Sequence, residues 1–352
     1  MAEHSPAGAT PAALPVVSTR ARRLSQFPLV AVVVTAIALT AFPFALGDPF
    51  WQNTGVLALT FAIAATGWNL IGGFTGQVSF GQAVFFGAGA YATAMLVRAG
   101  WSPWPAMAVG SAVAAATAVV IGFPCFRLRG HYFAIATIAA GEIAAAIVLN
   151  TEALGAARGL TMPIEEESLW NLQFSIRDKT PYYLVVLALF GATSLAVWLT
   201  IRGRTGSYLR AIRDDQDAAA AAGIPVRRYK LIAFAGSGAL TAVAGSFYAM
   251  YVLFVDAPST LALSISLSIA LMAMLGGAGS LWGPLIGAWT LTLIQELSRT
   301  ELSGSGRAGD LLLFGAAIVV LALFEPAGLT GLANRVRRLL RRRVHRLSEE
   351  AV

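Results

Sequence analysis

The sequence is poor in charged residues and in the residue types that most often carry chemistry. Only 12% of its 352 residues are charged, whereas 57% are hydrophobic, and the mean hydropathy is +0.69. A single cysteine, Cys125, excludes an intramolecular disulfide and any multi-cysteine metal site. This composition lies outside the range of soluble domains and predicts an all-α protein that crosses a membrane several times.

Catalytic and phosphate-binding motifs are also missing. The three histidines, His4, His131 and His345, are too far apart in the predicted topology to form a metal or acid-base cluster. Neither of the two lysines, Lys179 and Lys230, follows the G-x-x-x-x-G pattern of an ATP-binding loop. We therefore expect no enzyme activity, no metal and no cofactor bound by this chain. The basic residues collect in loops and a tail, a pattern typical of membrane topology rather than of nucleic-acid binding.

Apolar runs of roughly 20 residues, the length that crosses a bilayer, organise the chain. They predict about ten transmembrane helices within a domain at 27–325, with the eighth run short enough to join the ninth as one broken element. The predicted spans lie near 27–47, 52–71, 83–99, 106–124, 131–149, 181–201, 231–253, 263–275, 283–298 and 309–325. Residues 1–26 are predicted to be a disordered tail and 326–352 a basic tail that contacts anionic lipid.

The distribution of arginine and lysine predicts the orientation. Nineteen of the 25 basic residues fall in the two tails and in alternate loops, among them the segment 202–230, and six fall on the opposite side. By the positive-inside rule, both termini and 202–230 are cytoplasmic. The long polar segment 150–180 is then external; it either covers the outer mouth of the protein or is a solvated loop.

The segment 202–230 carries seven basic residues between two apolar runs. Leu209 and Ile212 are spaced as on one helix face, and Gly223 followed by Pro225 predicts a helix end. Two (i, i+4) charge pairs support a single short helix, namely Arg210 with Asp214 and Arg213 with Asp217. Such a short helix is marginal in water, so we expect the membrane surface or a partner to hold it.

Two glycine-rich stretches interrupt the apolar runs on the predicted cytoplasmic side. The first, at 72–82, adds the polar residues Gln77, Ser79 and Gln82, which are candidates for lining a pathway or for buried packing. In the second, at 276–287, Gly279, Gly283 and Gly287 repeat every fourth residue. That spacing predicts close helix packing.

Two carboxylates fall inside predicted spans. Glu142 lies in the fifth and Glu296 in the ninth. A charge near the bilayer centre costs about 2.5–3.5 kcal/mol, so each should face the bundle interior or a partner chain. Glu142 is a candidate pathway residue, with an interhelical hydrogen bond as the alternative, and Glu296 could snorkel from its span end.

Five segments together resemble the LivM-type permeases of branched-chain amino acid ABC importers. They are GGFTGQVSFGQAVFFGAGAYATAML (72–96), RLRGHYFAIATIAAGE (127–142), the stretch at 206–249 that begins GSYLRAIRDDQDAAAAAGIPVRRYK, GGAGSLWGPLIGA (276–288) and FEPAGL (324–329). The resemblance covers roughly residues 50–330 and implies the permease fold of ABC importers, with a role in the inner membrane.

The resemblance implies a set of partners and a docking segment. The partners are a second, LivH-type permease, two ATPases of the LivG and LivF types that bind ATP and magnesium, and an external solute-binding protein. Asp217, Ala218, Ala219 and Gly223 resemble the EAA-x3-G motif that docks on the ATPase, with Asp in place of Glu. Arg210, Arg213 and Asp214 extend this candidate ATPase-coupling set.

Some positions differ from the family pattern and leave the solute open. The external loop reads LGAARGLTMP (154–163), and His131 follows the Arg-Leu-Arg-Gly motif. Relatives of this architecture import branched-chain or other amino acids, urea or short amides. A stand-alone secondary transporter, built on paired broken helices, and a membrane scaffold or sensor without transport are the alternatives.

Overall fold

The protein is described here by a computed structural model covering residues 29–45, 47–128, 130–175 and 177–301, together with Gly315 and Leu329. Two compact units divide the chain, residues 1–41 and residues 42–352. Within the first unit the described part is the apolar beginning of helix α1. The predicted N-terminal tail, the tenth span at 309–325 except Gly315, and the C-terminal tail except Leu329 lie outside the described residues.

The described residues are mostly helical, as the sequence predicts. Two short 3-10 turns, Glu152–Leu154 and Ala156–Arg158, and two strands of two residues complete the secondary structure of this part. The α-helices are α1 (Leu29–Ala45), α2 (Pro49–Ile71), α3 (Gln82–Arg98), α4 (Pro103–Cys125), α5 (His131–Leu149), α6 (Thr180–Arg202), α7 (Arg204–Asp214), α8 (Gln216–Ala221), α9 (Val226–Val252), α10 (Ala257–Thr260), α11 (Leu263–Gly277) and α12 (Gly283–Glu301).

Six helices of the described part are long and apolar enough to cross a membrane: α2, α4, α5, α6, α9 and the segment Ala257–Gly277 that joins α10 to α11. Each of the first nine predicted spans coincides with a helix, but the count of ten stays a prediction. The suggestion that the eighth and ninth spans form one broken element is wrong. They are α11 and α12, which fold back on each other as a hairpin with Gly287 against the Met272 carbonyl.

Helix α9 lies at the centre of the bundle and packs against α2, α3 and α4. Small residues make this possible, since its sequence reads AGSGALTAVAGS over 235–246. A side chain at Gly245 would collide with the Phe86 carbonyl of α3, and one at Gly67 of α2 would meet Thr241. The backbones of three helices therefore approach α9 closely.

Helix α5 has the opposite character and lies at the edge of the chain. Only Phe133, Thr137 and Val148 are buried along its 19 residues. Most of its apolar surface therefore has no covering from the described part of this chain.

The segment 150–180 is attached to the bundle at several points. Strand β1 (Leu160–Thr161) pairs antiparallel with β2 (Phe254–Val255), directly after α9. The Trp104 Nε1 group donates to the carbonyl of Leu169 at 2.9 Å, which ties the segment to the start of α4. The segment is therefore tied to the bundle at these points, and its role as a cover of the outer mouth stays a prediction.

Candidate functional site

Helix α7 is held against the bundle by its apolar face. Leu209 and Ile212 are buried, as their spacing predicts, and Leu209 joins a core cluster with Leu70, Phe74 and Ile201. Neither the membrane surface nor a partner is needed to cover these two side chains. The opposite side of the segment carries the charged residues.

The prediction of a single helix is wrong, because Asp215 interrupts the helix and separates α7 from α8. Asp215 adopts an extended backbone and its carboxylate accepts hydrogen bonds from the backbone N–H groups of Asp217 and Ala218, both at 2.9 Å. Aspartate is a strong N-terminal cap, and capping wins here over helix continuation. Helix α8 therefore starts anew, and Arg213 and Asp217 are not an (i, i+4) pair on one helix.

Helix α8 ends as predicted at Gly223. The backbone N–H of Gly223 donates to the carbonyl of Ala220 at 3.0 Å, and the backbone N–H of Ile224 donates to the carbonyl of Ala219 at 3.1 Å. This pair of bonds is the Schellman arrangement, which needs a left-handed residue, and Gly223 has φ of +82°. The structure confirms the stop.

The candidate coupling residues divide into an inner and an outer group. Ala219 is buried, and Gln216 accepts a 2.5 Å hydrogen bond from the buried Lys230 ammonium of α9, so α8 is fixed along one side. The remaining surface is open. The exposed members of the set are Arg213, Asp214, Asp217, Ala218 and Gly223, with Ala220, Ala221 and Ala222 beside them.

The side chains of Arg210 and Arg213 form hydrogen bonds with backbone carbonyls of this chain. The Arg210 guanidinium donates to the carbonyl of Ile201 at 3.3 Å, at the end of α6. The Arg213 guanidinium donates to the carbonyl of Gly73 at 2.5 Å and also contacts Gly279. Arg213 thus connects α7 with both glycine-rich stretches.

Sequence reasoning missed Asn69, which joins the same two stretches. Its side-chain amide donates to the carbonyl of Ser280 and accepts from the N–H of Gly279, both at 2.7 Å. The only sequence signal was a polar residue in the last turn of an apolar span. Asn69 and Arg213 together form what we term the latch, which joins α7, the 72–82 break and the α11–α12 turn.

The assignment of Gly279 to helix packing is wrong. It lies in the turn between α11 and α12 with φ of +81°, beside Arg213. Gly283 and Gly287 lie in α12, and a side chain at either position would collide with the α11 end, at the carbonyls of Gly277 and Met272. Their predicted role in close packing agrees with this geometry.

The 72–82 break penetrates the bundle to about half its depth. Gln82 donates to the Ser237 hydroxyl at 3.1 Å and accepts from the Thr241 hydroxyl at 3.0 Å. These residues lie roughly 16 to 22 Å along α9 from Val226, near its middle. Helix α3 therefore begins inside the bundle, and an extended segment leads into it.

Most polar groups of the break are used within the chain. The Trp68 Nε1 group donates to the carbonyl of Ser79 at 2.7 Å, and both Ser79 and Gln82 have no exposed surface. Gln77 is half-buried and Val78 is 38% exposed. Of the three polar pathway candidates in the break, Gln77 alone reaches the surface of this chain.

Glu142 does not face the interior of the bundle that the described residues form. It is exposed on α5, on the same helix face as the exposed residues Ala139 and Ala146. The expectation that Glu142 faces the interior of the bundle is wrong. The alternative expectation, that it faces a partner chain, remains a prediction. Glu296 is half-buried on α12.

The other end of the bundle carries a cluster around Lys179. The ammonium donates to the side-chain carbonyl of Asn53 at 3.0 Å and lies 5.2 Å from the centre of the Tyr251 ring. Partial burial lowers the pKa of Lys179, because removal of water penalises the charged form. Among the described residues, no group of three or more His, Cys, Asp and Glu side chains could hold a metal ion.

Comparisons with known proteins give a consistent match. Residues 52–322 match the family described as branched-chain amino acid transport system / permease component. The chain is 30% identical to the high-affinity branched-chain amino acid transport system permease protein LivM of Escherichia coli K12, over 86% of this chain and 74% of that protein. It is 26% identical to LivH of the same strain, over 79% and 94% respectively.

A more limited match links the chain to another import system. The autoinducer 2 import system permease protein LsrC of Klebsiella pneumoniae is 33% identical over 122 residues, which cover 34% of this chain and 35% of that protein. No solved structure is significantly similar to the chain.

Proposed function

The chain belongs to the branched-chain amino acid transport permease family, and on this basis we propose that it is one of two permease subunits of an ATP-driven importer for branched-chain or related amino acids. Its relatives are transport permeases, so the chain is a multi-pass membrane transport subunit rather than an enzyme. The observation that carries the proposal is an exposed helix, α8, that follows α7, which the latch joins to the interior of the bundle.

The proposed partners follow from the surfaces that this chain leaves open. A LivH-type permease pairs with it, two LivG- and LivF-type ATPases bind ATP and magnesium, and an external binding protein delivers the solute. The exposed face of α8, with Asp217 and Ala218, docks in a groove of one ATPase. The protein lies in the inner membrane with both termini and 202–230 in the cytoplasm.

The latch gives docking a route to the pathway. When ATP binding draws the ATPases together, α8 moves with them and α7 follows, because only Asp215 separates the two helices. Arg213 then pulls on Gly73 and the α11–α12 turn, while Asn69 keeps these two segments in register. The conformation of the 72–82 break changes as a result, and the paired permeases switch the side to which they open.

The pathway itself lies between the two permeases. Gln77 at the break and Glu142 on α5 are the polar pathway candidates that this chain presents to a neighbour. A carboxylate exposed to lipid costs about 2.5–3.5 kcal/mol near the bilayer centre, so a protein or water-filled surface opposite Glu142 is favoured. The small side chains of Ala139 and Ala146 on the same face permit close approach of a partner helix.

Purification of the tagged chain from native membranes in mild detergent tests the partnership. We expect mass spectrometry to find two ATPases and a second permease with the wild type. Asp217→Arg should lose the ATPases but keep the permease, and Glu166→Arg, which changes an exposed acid in the 150–180 segment, should keep both. If wild-type chain comes alone while membranes still accumulate solute, a secondary transporter replaces the importer.

Uptake measurements test the latch and the solute. Arg213→Gln should reduce leucine uptake about tenfold, the effect of losing one charged hydrogen bond, with both ATPases still bound. Arg204→Gln, at an exposed arginine of the same helix, should leave uptake unchanged. The same vesicles tested with valine, urea and acetamide separate amino acid import from import of urea or short amides.

A further inference from the structure

A groove with a volume of about 740 Å³ lies between the end of α4 and the beginning of α9, away from the latch and the pathway candidates. The C-terminal end of α4 and the N-terminal end of α9, which lie at the same side of the bundle, form its lining. The lining residues are Val119, Phe123, Pro225, Val226, Arg227, Arg228, Leu231, Ile232 and Ala235.

The inner part of the groove is apolar and open to the surroundings of the bundle. Val119, Phe123 and Ile232 are 42%, 52% and 45% exposed. From Val226 to Ala235 the groove follows α9 for about 13 Å, which is close to the hydrocarbon depth of one bilayer leaflet, about 15 Å. Water has no polar partner along this wall, but a hydrocarbon chain fits it.

The outer end of the groove is cationic. The Arg227 guanidinium lies 4.0 Å from the centre of the Phe123 ring and donates to the Phe123 carbonyl at 2.6 Å, so its position is fixed. Arg228 is exposed beside it. Within the part of the chain that the structure describes, no carboxylate forms an ion pair with either arginine.

We propose that this groove binds an anionic phospholipid, with the phosphate at Arg227 and Arg228 and an acyl chain along Val119 and Ile232. Two uncompensated guanidinium groups above an apolar channel match the two halves of such a lipid. A free phosphate would not cover the apolar wall of the groove. A lipid without net charge would not neutralise the two arginines. The proposal depends on the proposed function in one respect, the orientation of the protein. That orientation places the lipid headgroup in the cytoplasmic leaflet, where anionic lipids attract basic residues.

The position of the groove connects lipid binding with the docking segment. Pro225 and Val226 line it, and they follow directly after the Gly223 turn that ends α8. A lipid in the groove therefore packs against the joint between α8 and α9. The bound lipid supports the orientation of the docking helix from the membrane side.

Native mass spectrometry of the purified complex tests the proposal. The complex is delipidated and titrated with phosphatidylglycerol, phosphatidylcholine or soluble glycerol 3-phosphate. We expect phosphatidylglycerol to be retained at least about fivefold more than phosphatidylcholine, given the attraction of a basic residue for anionic lipid, and glycerol 3-phosphate not to compete. Equal retention of the two lipids, or full competition by glycerol 3-phosphate, overturns the proposal.

Three variants locate the site. Arg228→Gln should lower phosphatidylglycerol retention about fivefold, and Ala235→Phe should lower it by filling the apolar end. Arg204→Gln removes an exposed arginine outside the groove and should change nothing. Lipid retention that is the same in all three variants and in the wild type contradicts the assignment, whatever the solute or the uptake rate of the transporter.

A photo-crosslinker identifies the occupant in native membranes. Benzoyl-phenylalanine at Ile232, an exposed lining residue, should give a phospholipid adduct after irradiation. An adduct with residues 302–352 of this chain, or with an ATPase, would show that protein fills the groove and would exclude the lipid.

Discussion

Helices α9 and α5 are both apolar spans, yet they have opposite relations to their own chain. Helix α9 is surrounded by α2, α3 and α4, whereas α5 buries only Phe133, Thr137 and Val148. Both are rich in small residues, mainly alanine in α5 and alanine, glycine and serine in α9, which let helices approach closely. The difference teaches that α9 completes a core within one chain, while most of the surface of α5 is left uncovered by the described part of the chain.

The polar residues of the two regions follow the same division. Gln82 lies against α9 with its amide bonded to Ser237 and Thr241, so it serves the core. Glu142 on α5 is exposed. The presence of a polar residue in an apolar span therefore does not tell whether its side chain faces the core of the chain or its surface.

The largest effect is expected at Gly245 of α9. Gly245→Val drives a side chain into the backbone of Phe86, which cannot move aside as a flexible side chain can. Overpacking against backbone should reduce the yield of folded protein at least about tenfold, measured by size-exclusion chromatography of a fluorescent fusion.

The matched change on α5 is Gly141→Val, where nothing lies within 4 Å of the added Cβ position. Folding of the chain should be unaffected. Equal losses at Gly141 and Gly245 would show that α5 is as tightly packed within the chain as α9.

A second contrast lies within the docking segment, between the inner helix α7 and the outer helix α8. Leu209→Ala removes a fully buried side chain from the core cluster and should lower the free energy of unfolding by about 2–5 kcal/mol. Thermal unfolding of the purified chain measures it.

Ala220→Leu adds bulk to exposed α8 and serves as the counterpart. It should leave thermal unfolding unchanged but reduce the recovery of ATPases with the tagged chain. Loss of stability on Ala220→Leu with normal ATPase recovery would reverse the roles of the two helices.

Element positions and local turn chemistry could be predicted from the sequence. Apolar runs marked the helices, and Gly223 marked the end of α8, because both signals act through neighbouring residues. The break at Asp215 was missed since aspartate fits both an exposed helix surface and an N-terminal cap, and only the backbone shows which is used.

Contacts between distant segments could not be predicted. Asn69 and Arg213 are 144 positions apart in the chain, and nothing in either local sequence specifies that both reach Gly279. Side-chain direction on α5 was also beyond the sequence, because lipid-facing and protein-facing surfaces are equally apolar in a membrane protein. Amphipathic periodicity, which reveals the core side of α7, gives no such signal there.

A smaller effect is expected from Gln82→Leu, which keeps the volume but removes the amide from the buried network. The hydroxyls of Ser237 and Thr241 can turn to carbonyls of their own helix, so the cost should be about 1 kcal/mol. Thermal unfolding in detergent measures this loss. Gln77→Leu, at the half-buried position of the same break, should leave stability unchanged and alter uptake, and the reverse pattern would assign the pathway role to Gln82.

The smallest effect on the chain itself is expected from Glu142→Gln. Because Glu142 is exposed on α5, unfolding of the isolated chain should change by less than about 0.5 kcal/mol. Solute uptake should nevertheless fall severalfold if Glu142 faces the second permease or the pathway between the two, as we propose, and Glu142→Asp should restore part of it. Unchanged uptake in both variants would mean that α5 faces lipid, and a large loss of stability in the isolated chain would place Glu142 in its own core. Only the loss of stability would end the distinction between α9 and α5, whereas lost uptake in a stable chain would support a protein partner opposite α5.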